Sequence, residues 1–274
     1  MGSKQHGSGH WKIAEIPYAS IDRMRARADP YLLYLVAGAS FVEITAELYA
    51  HNLAEYFDGD PKLGRWISER WESEEKQHGQ ALRRYVECVW PEFDWERAYQ
   101  AFFAEYSTYC TVGNLGPTRA LELVSRCVVE TGTATFYTTI ARASPEPVLS
   151  QIATRIKEDE QRHYKVFLYQ YRRWADAEHT RRRAVFDNLS SRVRELDNED
   201  IYVAVKHVFQ VMHPDRSFTR DDYRKIHHHY ARLTRRYYPY RTAVQMLLGP
   251  LQLNRIVQAA VTPLLSVAGW LFMV

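Results

Sequence analysis

Apolar positions recur three or four residues apart through most of the chain, and no segment alternates apolar and polar residues in the two-residue rhythm of a half-buried strand. The pattern predicts an all-α protein. Proline marks where helices begin. Asp29-Pro30 reads as an N-cap followed by the proline that a first helical turn accepts, and "YLLYLVAGASFVEITAELYAHNLAEYF" keeps its periodicity to Phe57. "DGDP" turns the chain. Asp60-Pro61 then opens a second helix, expected to run to Trp90, where Pro91 stops it. A third is expected over 95–110, broken by "GNLGP", and a fourth over 117–143. Ser144-Pro145 is expected to cap a fifth that reaches about Trp174. The turns between the first and second, and between the fourth and fifth, are short. Each pair should therefore fold as an antiparallel hairpin.

Beyond residue 175 the chain becomes basic and aromatic, as in "RDDYRKIHHHYARLTRRYYPYR". Asn198 is expected to cap a helix through Met212, ended by Pro214. Three divisions follow: an N-terminal extension over 1–29, a four-helix bundle over 30–175, and a C-terminal helical extension with an apolar tail over 176–274. After Arg255 the tail "IVQAAVTPLLSVAGWLFMV" has no charged residue, and its length suffices to span a bilayer. Gln258, Thr262, Pro263 and Ser266 dilute it. Packing on the bundle or a peripheral membrane contact is expected in preference to a true anchor.

Composition narrows the function classes. A net charge of +3 gives no reason to expect nucleic acid as a partner. Three cysteines without a CxxC spacing argue against a disulfide framework and a thiolate metal site; free thiols in a reducing cytoplasm are expected. "MGSKQHGSGHWK" lacks the apolar core of a signal peptide.

The candidate chemistry is a repeated pair. "EEKQH" holds Glu75-x-x-His78, and "EDEQRH" holds Glu160-x-x-His163. Residues three apart on a helix share a face, with Cβ atoms about 5–6 Å apart, so each pair can hold one metal ion. One such motif is what chance supplies in a chain with 11 His, so the surroundings decide. Each motif follows a helix that carries an acid within an apolar stretch: Glu43 or Glu47 before the first, Glu130 before the second. In a hairpin, those acids fall level with the motifs. Glu130, in "LVSRCVVETGTATFY", is badly placed for an unpaired carboxylate, because burying that charge is costly without a partner or a metal. Four Glu and two His on four facing helices form the two-metal carboxylate site of ferritin-like bundles. Glu75 and Glu160 lie 85 residues apart, and Glu43 and Glu130 lie 87 apart, which suggests a weak internal duplication. Glu74 and Asp159, each one residue before a motif Glu, are placed to cross the bundle: Asp159 to His78 and Glu74 to His163. Core packing is the favoured role for Trp71 and Tyr137, and a basic solvent face for His227 to His229.

"WESEEKQHG", "EDEQRH" and, more loosely, "ETGTATF" resemble ligand segments of the soluble acyl-acyl-carrier-protein desaturases. The resemblance covers roughly residues 40 to 170 and stops at Trp174. It implies a ferritin-like bundle whose ligands are Glu75, His78, Glu130, Glu160 and His163, with Glu43 favoured over Glu47 as the sixth. It implies two iron ions, or a manganese–iron pair, that activate O2 with electrons from a ferredoxin-like donor. Thr133 is implied to hydrogen-bond the oxidant and help deliver protons; bonding to its own helix is the competing role. The expected activity is desaturation of a fatty acyl chain on a carrier protein. Alternatives are a hydroxylase, an N-oxygenase or an aldehyde-deformylating enzyme, and then iron or peroxide handling as in ferritins and rubrerythrins. The Arg clusters at 181–183 and 232–236 are candidate docking sites for an acidic carrier or donor, with a solvated or membrane-facing face as the equal alternative. A homodimer is a further expectation.

Overall fold

Helix caps and prolines divide the chain into thirteen α-helices among the residues described by this computed structural model, which are 11–110, 115–195 and 199–272. No strand occurs among them. After the short α1 (Arg23–Arg27) come α2 (Leu32–Ile44) and α3 (Ala46–Tyr56), almost one continuous helix. They are separated only at Thr45, whose hydroxyl donates to the Phe41 carbonyl at 2.7 Å, a back-bond that bends helices. Asp60 caps α4 (Pro61–Trp66), accepting from the Leu63 amide at 3.2 Å, with Pro61 at the first helical position. A π-helical turn, Ile67–Trp71, joins α4 to α5 (Glu72–Val89). The second expected helix is therefore present but carries an irregularity its spacing did not announce. Asp94 caps α6 (Trp95–Tyr106), which gives way to a single 3-10 turn before Cys110.

Thr118 caps α7 (Arg119–Ala143). The start of α8 (Pro147–Ala177) corrects the sequence reading. Glu146, not Ser144, is the cap, accepting from the Leu149 amide at 2.8 Å, and Pro147, not Pro145, opens the helix. Then follow α9 (Arg182–Glu195), α10 (Glu199–Met212), α11 (Arg220–Tyr237), α12 (Tyr240–Leu248) and α13 (Arg255–Phe272). The proposed cap Asn198 lies outside the described residues.

The most extensive helix pairings are α7 with α8 and α2 with α5. The apolar core divides into two clusters along these helices. One gathers Phe41, Leu82, Tyr85, Tyr137 and Ile152; the other gathers Leu53, Leu63, Phe57, Leu123 and Phe167. Following the chain, α2 and α3 cross from the first cluster to the second, α5 returns, α7 returns again, and α8 crosses back. The helices thus form two antiparallel hairpins, and between the two apolar clusters they leave one polar layer. Packing crosses both division points read from the sequence. Trp11, Ile16 and Tyr18 before residue 30, and Val203, Val208 and Phe209 beyond 175, belong to the same cluster as Phe41. Residues 32–56 form the described helical stretch long and apolar enough to cross a membrane, but more than half of its most apolar window is buried in this bundle. The three cysteines are free.

Candidate metal centre

Six ionisable side chains meet in the polar layer. Glu43 comes from α2, Glu75 and His78 from α5, Glu130 from α7, and Glu160 and His163 from α8, none of them more than 6 % exposed. They form two overlapping groups. Glu43, Glu75, His78 and Glu160 each offer a ligand atom within 4.8 Å of the others, and so do Glu75, Glu130, Glu160 and His163. Glu75 and Glu160 are common to both. His78 Nδ1 lies 3.2 Å from Glu160, 3.4 Å from Glu75 and 3.6 Å from Glu43. His163 Nδ1 lies 3.1 Å from Glu75, 3.5 Å from Glu130 and 3.8 Å from Glu160.

Close approach alone does not satisfy these atoms. His78 Nδ1, His163 Nδ1, Glu130 Oε2 and Glu160 Oε1 are buried, and none is aligned for a hydrogen bond. Buried polar atoms in native proteins nearly always find partners. Four inward-facing atoms without one, on carboxylates and imidazoles, suit a cation that can accept several oxygen and nitrogen lone pairs. These buried groups can therefore hold metal ions.

The outward atoms, by contrast, are all engaged. His78 Nε2 is 2.9 Å from Asp159, and His163 Nε2 is 2.6 Å from Glu74, the two cross-bundle contacts expected from the sequence. Each carboxylate is placed to accept a hydrogen bond from Nε2–H, which turns Nδ1 toward the centre. Arg162 pairs with Asp159, while Arg70 reaches Glu74 at 3.3 Å. Desolvation acts against the Glu74 charge, but the His163 hydrogen bond, helped by the arginines, pulls its pKa down to about 2. The Trp11 indole donates to Asp159 at 2.9 Å and lies parallel to the His78 ring.

The six groups also perturb one another. Burial, then the charge of a neighbouring Glu, raises Glu43 and Glu130 well above the carboxylate range. Burial opposes charge on the two imidazoles. The carboxylates outweigh it, Asp159 first for His78 and Glu130 first for His163, so both imidazole pKa values rise well above the ordinary one. A metal at either group has to displace those protons.

Local backbone chemistry sets the span of the site. A Cβ on Gly79 would stand 2.4 Å from an Ile44 side-chain carbon and 2.8–2.9 Å from the α2 backbone. Glycine here lets α5 rest directly on α2, which brings Glu43 within reach of His78. Glu47 is not in the layer. Its side chain is 43 % exposed and pairs with Lys76 at 2.8 Å. Helical spacing put Glu43 and Glu47 on one face, but the interruption at Thr45 falls between them. The Thr133 hydroxyl makes the bond to its own helix considered for it, with the Val129 and Glu130 carbonyls at 3.3 Å, and also donates to Glu160 Oε2 at 2.8 Å, which places it beside the polar layer. Trp71 and Tyr137 do more than pack. The Trp71 indole donates to Glu130 Oε1 at 3.1 Å, and the Tyr137 hydroxyl donates to Glu43. His229 pairs with Asp29 at 2.8 Å, while His227 and His228 face solvent.

Sequence reasoning missed Trp11, which lies 148 residues from Asp159, a separation no local pattern spans. It also missed Arg70 and Arg162, although their spacings of four from Glu74 and three from Asp159 were available as a signal. No protein-family model matches the chain, and no curated protein is significantly similar to it.

Proposed function

We propose that the chain is a ferritin-like di-iron carboxylate protein, an O2-dependent oxidoreductase that desaturates a fatty acyl chain presented by a carrier protein. The observation that carries this reading is the pair of buried Glu/His groups sharing Glu75 and Glu160, with unpartnered atoms directed into both. Glu43 and His78 would hold one ion, Glu130 and His163 the other, and Glu75 and Glu160 would serve both. A reduced iron pair supplies electrons to O2, the chemistry an unactivated C–H bond requires.

The protein's own part is positional. Asp159 and Glu74 fix the two imidazoles. Trp71 and Tyr137 fix the outer oxygens of Glu130 and Glu43. Thr133 holds a proton beside Glu160, on the side of the layer that α7 and α8 share. Trp66 and Phe167, packed edge to face against each other and near His163, shield the layer from water. The exposed Arg181, Arg182 and Arg183 offer a docking surface for an acidic carrier or a ferredoxin-like donor. The helices past Trp174, where the desaturase resemblance stops, favour a second reading in which the same centre hydroxylates, N-oxygenates or deformylates another hydrophobic substrate.

Anaerobic loading with Fe(II), followed by elemental analysis, tests the centre. Two irons per chain are expected, and fewer than one, unchanged by Glu130→Ala, would overturn it. Many irons per chain would indicate storage. Incubation with reductant, O2 and acyl-carrier substrates then separates the activities: product lighter by two hydrogens means desaturation, and product heavier by one oxygen means hydroxylation.

A further inference from the structure

Helix α13 is turned inside out relative to the bundle helices. Thr262 is buried, and Gln258, Ser266 and Gly269 lie on the same covered side, where α13 packs along α12. Their polarity is settled within the helix: the Thr262 hydroxyl donates to the Gln258 carbonyl and the Ser266 hydroxyl to the Thr262 carbonyl, each at 2.7 Å. The solvent side is apolar. Ile256 is 83 % exposed and Leu264 71 %, and Leu265, Val267, Trp270 and Leu271 are exposed with them. Positions 256, 264, 267 and 271 fall on one helical stripe. An exposed stripe of this kind marks a surface that meets another apolar phase.

Charge identifies that phase. From Tyr223 onward the sequence contains six Arg and one Lys but no Asp or Glu. Arg235, Arg236, Arg241 and Arg255 are all exposed. The Arg235 guanidinium lies 5.0 Å over the Trp270 ring, so a cation sits at the border of the apolar stripe. The Tyr240 ring lies beside Gly269 of α13, and such rings favour the level of lipid headgroups. A symmetric pairing of two copies through this face would bring like-charged arginine rims together, whereas anionic lipid complements them.

We propose that α13 and the adjoining basic segment bind the surface of an anionic phospholipid bilayer, with α13 lying in the interface, its stripe among the acyl chains and the arginines at the headgroups. The segment is anchored to α7. The Thr135 hydroxyl of α7 donates to the Tyr238 hydroxyl at 3.1 Å, and Arg142 donates to the Tyr237 carbonyl at 3.2 Å. The basic segment is thereby tied to the helix that carries Glu130 and Thr133. The proposal does not depend on the metal reading.

Sedimentation of the full chain with vesicles tests it, using phosphatidylcholine with and without phosphatidylglycerol. The chain is expected to sediment with the mixed vesicles and to be released by salt. Leu264→Gln combined with Leu271→Gln should weaken binding by at least about tenfold. Arg235→Gln, Arg236→Gln and Arg241→Gln together should weaken it by about a hundredfold. All these positions are exposed, so circular dichroism and metal content should match the parent chain. The proposal is overturned if the parent chain ignores both vesicles, or if the leucine variant binds as well as the parent. It is equally overturned if, without lipid, the parent is a dimer that the leucine variant splits.

Discussion

Around Glu75 and Glu160, carboxylates occupy positions where a helical bundle would ordinarily pack leucine; on α13, leucines occupy positions that would ordinarily face water. Both regions cost free energy as they stand, and each cost points to a different partner. The bundle layer concentrates lone pairs toward a point, which suits a small cation. The α13 stripe spreads apolar area along a helix, which suits an extended phase. The comparison shows that burial by itself marks neither site. What marks them is polarity placed against burial, together with the shape of what is left unsatisfied.

The largest effect is expected from removing a group that faces the centre. Glu130→Ala or His163→Ala should leave at most one metal per chain and no O2-dependent turnover, measured by elemental analysis and oxygen uptake. A milder test sets two leucines against each other. Leu82 is fully buried above the layer, and Leu82→Ala should cost about 2–5 kcal/mol in denaturant unfolding. Leu264→Ala should stay within about 0.5 kcal/mol without lipid, and equal costs would remove the contrast. Gly79→Ala should cost about 1–3 kcal/mol, because Ile44 and the α2 backbone have to move, and should weaken metal binding as Glu43 is drawn away. Asp159→Asn should lower metal affinity about 10–100-fold by titration, with the fold unchanged in circular dichroism. Acid should act in the same direction. His78 and His163 have raised pKa values and keep their protons to higher pH than free imidazole. Affinity therefore rises with pH and falls on acidification, by about tenfold per unit for each proton displaced. An affinity flat from pH 6 to 8 would contradict the idea that the metal displaces these protons.

Much of the bundle was legible because its signals are local. Asp60-Pro61, the 3.6-residue rhythm and the two Glu-x-x-His pairs are readable within a few residues, and the hairpin spacing brings Glu130 level with Glu160. The choice between Glu43 and Glu47 was not settled, because the interruption at Thr45 depends on what α2 and α3 pack against rather than on their own sequence. The start of α8 was misplaced by two residues, since "SPEP" offers two prolines and only tertiary context makes Glu146 the cap. Trp71 and Tyr137 looked like core because an indole or phenol that packs and one that also donates have the same spacing. The orientation of α13 was the least legible. Its composition allowed packing, surface contact or insertion, and only the neighbouring α12 shows which side is covered.

Gly79 also separates the two halves of the weak duplication. The residue after His78 has no side chain, so that imidazole stands beside a helix-to-helix backbone contact. The residue after His163 is Tyr164, whose hydroxyl donates to the Met246 carbonyl at 2.5 Å on α12. One half of the centre is gauged by backbone, which does not rotate, and the other is braced by a side chain from outside the bundle. Two ions in such a frame would not be twins. One would sit beside rigid backbone and the other beside a side chain tied to α12.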